Sequence, residues 1–260
     1  MTSDGGQGAS REVPVHTGDD QRSWQVPEEV PIAFVYNDLT FAVMLATPAD
    51  LQDYAIGFSL TEGIARSIDD IEDLQVRHRD QGIELHIKLA ANAFRRLELR
   101  QERRNLTGRS SCGVCGLDNM EALFEPLPPV GDIPAVLEGP AVARAVEVFA
   151  DSQPMKSLNH SVHGAAWVNL VGQLQLVRED VGRHNALDKL AGAMVQAGAD
   201  IAAGFCLMSS RCSYELVEKA ARMGMPALVT LSAPTALAID RAAEAKLSLA
   251  TWSRDGLARF

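Results

Sequence analysis

From about residue 165 to residue 252, apolar stretches of strand length alternate with stretches of helical length, and that alternation restricts the chain to few folds. Strands are expected at 165–171, 173–179, 203–208, 226–231 and 247–252, the first two hinged at Gly172. Helices are expected at 139–150, 184–197, 213–223 and 234–245. Repeated strand–helix units with strands rich in Val, Leu and Ala predict a mainly parallel sheet with helices on both faces. The α/β part is expected to occupy 139–260.

The segment before it has a different texture. Val30 to Tyr36 and Leu39 to Ala46 flank the turn pair Asn37-Asp38 and read as a hairpin. Leu74 to Arg79 and Ile83 to Leu89 read as a second, around Gln81-Gly82. Thr47-Pro48-Ala49-Asp50 has the form of a helix start, with Thr47 as cap, and the helix should run to about Thr61. Residues 92–104 read as an exposed helix bearing Arg95, Arg96, Arg100, Arg103 and Arg104, and Asp118 to Glu125 as a short capped helix. This smaller α+β part is expected over 29–125. Pro126, Pro128, Pro129 and Pro134 mark a linker over 126–138.

Hydrophobic residues make up 47% of the 260, enough for a real core. Acidic residues outnumber basic ones 34 to 24, which argues against a general nucleic-acid binder. No apolar run is long enough to span a bilayer. The first 24 residues are polar, rich in Gly, Ser and Asp, and lack the apolar centre of a secretory signal, so 1–28 is expected to be a disordered tail. The four cysteines are therefore expected in the cytoplasm, where structural disulfides are rare.

Cys112-Gly113-Val114-Cys115 offers two thiols separated by two residues, within Ser110 to Gly116. Such a pair chelates a metal, forms a reversible disulfide or carries sulfur. Arg109 and the helix start at Asp118 favour a thiolate, the form that attacks sulfur. A zinc knuckle needs further ligands; Cys206 and Cys212 are available, though Cys206 sits inside an apolar strand and reads as core, and His160 and His163 could also contribute. His163-Gly164-Ala165-Ala166 has the look of a zinc deaminase fragment, yet the required Glu two residues on is missing and the Cys-x-x-Cys lies upstream, so deamination lacks its acid/base.

Four segments follow predicted strands: Glu179 to Asn185, Ser209 to Ser213, Ser232 to Thr235, and Trp252 to Leu257. In a parallel sheet all four emerge at the carboxyl edge, where ligands bind. Their hydroxyls, arginines and helix starts suit phosphate or a nucleotide. Asp188 and Lys189, on the helix after His184, read as a surface pair. The arginines from 95 to 109 read either as a solvated face or as a dock for an anionic ligand or acidic partner.

The chain resembles the formate dehydrogenase accessory sulfurtransferase family, FdhD. The stretches that carry the resemblance are Glu29-Val30-Pro31, Thr47 to Leu51, Gly57 to Gly63, Ser110 to Gly116, Glu179 to Lys189, Ser210 to Glu215 and Ser232 to Thr235. The resemblance implies a sulfur carrier that takes persulfide sulfur from a cysteine desulfurase. It would pass that sulfur to the molybdenum (or tungsten) bis(molybdopterin guanine dinucleotide) cofactor before insertion into formate dehydrogenase. It implies roles for Cys112 and Cys115, with the persulfide on Cys112. It also places cofactor contacts at Trp252, Ser253, Arg254, Asp255, Gly256 and Leu257; the edge argument adds Arg183 and Arg211. A C-terminal part similar to the cytidine deaminase fold, and a homodimer, are further implications. No permanent cofactor or resident metal is expected.

Overall fold

The computed structural model describes residues 8–18, 20–105, 126–131 and 136–260. The chain enters through a ribbon in which β1 (Ser10–Thr17) pairs antiparallel with β2 (Asp20–Pro27), without a register shift. This corrects the disordered tail expected over 1–28 where the residues are described, at 10–17 and 20–27. Val13, Val15, Trp24 and Val26 alternate with polar residues and share one face of the ribbon, a period-two signal that the polar composition hides.

β3 (Val30–Tyr36) and β4 (Leu39–Ala46) form the expected hairpin, with Asn37 and Asp38 at φ 46° and 68°, the left-handed pair that a tight two-residue turn demands. β5 (Ile71–Arg79) and β6 (Gly82–Leu89) form the second hairpin. β6 pairs parallel with β3, giving a four-stranded sheet in the order β4-β3-β6-β5. Its inner face (Ile32, Phe34, Tyr36, Ile83, Leu85, Ile87) packs on α1 (Leu51–Thr61) and α2 (Ala91–Asn105). Helix α1 begins later than its sequence suggests. Asp50 is the N-cap, in the left-handed region and without a side-chain cap bond, while Thr47 is buried and engaged elsewhere.

The second part comprises α3 (Gly139–Phe149), α4 (Pro154–Asn159), β7 (His163–Asn169), β8 (Leu174–Asp180), α5 (Arg183–Gln196), β9 (Gly204–Met208), α6 (Tyr214–Arg222), β10 (Ala227–Thr230), α7 (Ala236–Glu244), β11 (Ser248–Ser253) and β12 (Gly256–Arg259). The strand order is β12-β11-β10-β9-β7-β8. Helices lie on both faces, as expected. Ala165, Trp167, Cys206 and Met208 join the cluster with α5, α6 and α7, and their neighbours Ala166, Val168, Phe205 and Leu207 join the one with α3.

The mainly parallel sheet is corrected to a mixed one. Only β9/β10 and β10/β11 are parallel; β7 runs antiparallel to both neighbours and β12 antiparallel to β11. A parallel neighbour needs a crossover of a dozen or more residues, about the length of a helix. The turn at Gly172 (φ 87°) and the pair Arg254-Asp255 are too short for that and reverse the chain.

The described part of the expected linker is packed. Leu127 and Leu137 are buried, and the amides of Leu127 and Val130 donate to Glu244 and to the Ala245 carbonyl. Prolines there suppress regular structure without freeing the chain.

Between the two sheets lies α1, buried at every residue except Gln52. Tyr54, Ala55 and Phe58 face the N-terminal sheet, whereas Ile56 and Leu60 belong to the C-terminal core. α1 crosses α5 at backbone contact. A Cβ on Gly57 would overlap the Asp188 carbonyl, and one on Gly192 the Asp53 carbonyl.

Candidate functional site

β8, β9, β10 and β11 all point the same way, so the segments after them share one edge, as the sequence implied. The reversal of β7 adds something the sequence reading missed: the first residue of that strand, His163, comes to the same edge, opposite Asp180. The sequence reading gave this strand no direction and left His163 out of the edge. The signal was the tightness of the Gly172 turn.

The segment Glu179 to Lys189 divides into two kinds of residue. Five polar side chains point inward and hold the molecule together. Glu179 accepts the amides of Met155 and Lys156 at 2.9 and 2.8 Å, capping α4. Asp180 accepts from the amides of Thr47 and Gly182 and from Asn185, and pairs with Lys189 Nζ at 2.7 Å. Lys189 also donates to the Thr47 carbonyl, and Tyr54 donates to Asn185. Asp188 receives Thr61 Oγ1 at 2.6 Å and Lys219 Nζ at 2.9 Å. The expected surface pair Asp188 and Lys189 is thus corrected: both are buried, each with a partner on another element. Burial alone would lower the Lys219 pKa, but the carboxylates of Asp188 and Glu62 outweigh it and raise it.

Arg183 and His184 face the edge instead. His184 Nε2 lies 3.0 Å from Glu215 Oε2 and 3.2 Å from Ser213 Oγ, tying the loop after β8 to that after β9. The bond from His184 holds the Glu215 carboxyl below its usual range. Cys212 bridges to Pro234 and accepts the Thr235 amide at its carbonyl, joining the loops after β9 and β10. Ser209 and Gly164 exchange two hydrogen bonds, Ser209 N to Gly164 O and Gly164 N to Ser209 Oγ. From β8 to β10 the edge is thus hydrogen-bonded from loop to loop.

Arg183, Arg211, Arg254 and Lys156 make no ion pair among the described residues, and Arg183 Nε is buried without a hydrogen-bond partner. Unpaired cations along the edge, Arg183 at the uncapped start of α5 among them, make this rim receptive to anions. Arg183 and Arg254 are separated by four strand spacings, about 19 Å. One phosphate cannot touch both; an extended ligand can.

Ser253, Arg254 and Asp255 are exposed at the turn before β12, and Arg211 is exposed in the loop after β9. Gly256 opens β12 at φ 98°. Trp252 and Leu257 pair across β11 and β12 and pack toward the α3 side of the sheet. Cys112, Cys115 and Arg109 lie outside the described residues, as do the helix expected at Asp118 and the side chains of Arg100, Arg103 and Arg104. Arg95 is exposed; Arg96 pairs with Asp70 at 2.7 Å. Cys206 and Cys212 are free and buried. Burial pushes the Cys212 thiol up to about 12, against the pull of Arg183, and raises Cys206 as well. Among the described residues, no group of three His, Cys, Asp or Glu is placed to hold a metal ion. No described helix is long and apolar enough to cross a membrane.

The fold and its rim thus define a two-part α/β protein with an anion-receptive strand edge. Residues 27–259 match the FdhD/NarQ family, and the chain belongs to that family. It is 46% identical over 230 residues to the sulfur carrier protein FdhD of Xanthomonas euvesicatoria pv. vesicatoria, covering 88% of this chain and 81% of that one. It is 46% identical over 233 residues to the sulfur carrier protein FdhD of Cupriavidus necator, with 89% and 80% covered. The crystal structure of a candidate formate dehydrogenase accessory protein from Desulfotalea psychrophila has the same fold, with a TM-score of 0.72 at 22% identity, covering 96% of this chain and 95% of that one.

Proposed function

We propose that this protein is a sulfurtransferase that carries sulfur for formate dehydrogenase maturation. The observation that carries the reading is 46% identity, along nearly nine-tenths of the chain, to proteins named as sulfur carriers. The cysteine chemistry supports it: with Cys206 and Cys212 kept protonated by burial, Cys112 and Cys115 are left as the reactive pair.

In the proposed reaction the Cys112 thiolate attacks the terminal sulfur of a cysteine desulfurase persulfide. A new S–S bond forms on Cys112, the old one breaks, and the desulfurase leaves as thiolate. For delivery, the Cys115 thiolate attacks Cys112 Sγ and expels the outer sulfur as hydrosulfide to the recipient. The resulting Cys112–Cys115 disulfide is then reduced by a dithiol donor, which supplies two electrons and two protons.

The recipient is the molybdenum bis(molybdopterin guanine dinucleotide) cofactor, bound as cargo before insertion into formate dehydrogenase. Its phosphates would lie along the rim on Arg183, Arg211 and the turn from Trp252 through Ser253, Arg254, Asp255 and Gly256 to Leu257. The unpaired arginines and their spread along the edge support that assignment. We further read the C-terminal layer as cytidine-deaminase-like, the working form as a homodimer and the compartment as the reducing cytoplasm.

The test is intact-mass analysis after incubation with a cysteine desulfurase and cysteine. A gain of one sulfur atom should map to 110–116 and be lost in Cys112→Ala. Undiminished loading in both Cys112→Ala and Cys115→Ala would refute the carrier reading.

A further inference from the structure

His163 is half-buried where β7 begins, and the charged groups around it come from every neighbouring element. From α5 come Arg183 and His184, and from α4 Lys156. From β8 come Asp180 and Glu179, from the loop after β9 the Cys212 thiol, and from the first turn of α6 Glu215, the last two both close to Arg183. Each carboxylate is already engaged: Asp180 by Lys189, Thr47, Gly182 and Asn185, Glu179 by two α4 amides, and Glu215 by His184. The thiol is neutral. Glu179 and Glu215 are the carboxylates that feel Lys156 and Arg183, yet neither forms an ion pair with them among the described residues, and Arg183 Nε is buried with no hydrogen-bond partner.

Building on the proposed recognition of a guanine dinucleotide at this rim, we infer that His163 is an anion contact that binds phosphate together with a proton. In the free protein, burial and the fields of Arg183 and Lys156 hold the imidazole below its ordinary range, so it is neutral at neutral pH. A phosphate beside Arg183 reverses the local field and favours the imidazolium, which then donates to the phosphate oxygen. The sign follows from linkage. The bound midpoint lies above the free one, so affinity is greatest in acid and falls as pH rises between the two midpoints, by at most about tenfold per pH unit.

The experiment follows the histidine C–H resonances of the full-length protein from pH 5 to 8, with and without saturating guanosine diphosphate, the His163 signal being assigned by its loss in His163→Gln. The His163 midpoint should rise by about one pH unit on binding. In parallel, the affinity of wild type for guanosine diphosphate should fall more steeply with pH than that of His163→Gln. The nucleotide's own phosphate titrates equally against both proteins, so the difference belongs to His163. An unmoved His163 midpoint, or equal slopes, overturns the inference and leaves the dinucleotide reading standing. Failure of wild type to bind guanosine diphosphate removes both, whatever the outcome of sulfur loading at Cys112.

Discussion

Asp180 and Lys189 meet at 2.7 Å with neither side chain exposed, and both also bind the backbone of Thr47 in the other half of the molecule. Removing one member strands the other as a buried charge. Lys189→Met should therefore cost about 3–5 kcal/mol, measured as a lower urea midpoint, and adding Asp180→Asn should recover part of the loss. A fall below about 1 kcal/mol would mean that water reaches the pair. The buried cysteines give a second residue-scale prediction. Iodoacetamide at pH 8 should leave Cys206 and Cys212 unlabelled until the protein is denatured, because burial keeps both thiols protonated. The inertness of Cys206 could be read from its apolar strand. That of Lys189 could not, since a lysine after an aspartate on a helix looks solvated until the helix is known to be covered on both sides.

At the scale of elements, the α1–α5 crossing is the decisive contact. In an exposed helix, Gly→Ala gains about 1 kcal/mol from propensity. At Gly192 the sign should reverse, because the added methyl meets the Asp53 carbonyl, a backbone atom that cannot turn aside. Gly192→Ala should destabilise by about 1–3 kcal/mol or more, read from the thermal midpoint, whereas a gain in stability would contradict the crossing geometry. Most helices and strands of both sheets were legible from periodicity, and the β3–β4 turn from Asn37-Asp38. Strand direction was not: periodicity is blind to it, and only the length of each connection decides. That is why His163 entered the edge from the structure and not from its neighbours in sequence. Thr47 was misread for a related reason, because its capping hydroxyl and its backbone are drawn to partners more than 130 residues away.

At the scale of the molecule, two sheets share one helix. α1 completes the N-terminal core with Tyr54 and Phe58 and the C-terminal core with Ile56 and Leu60. Unfolding followed by tryptophan fluorescence and by far-ultraviolet circular dichroism should thus give coincident transitions, and two separated transitions would show that the halves are independent. That sharing has a consequence for how such a protein can change over time. Recombination that moved residues 139–260 into another gene would carry away α5 without the helix that covers it, leaving buried charges and bare glycines facing water. The C-terminal sheet is therefore poor material for domain shuffling. Its lineage can vary the rim loops one by one, but the two halves have to be inherited together.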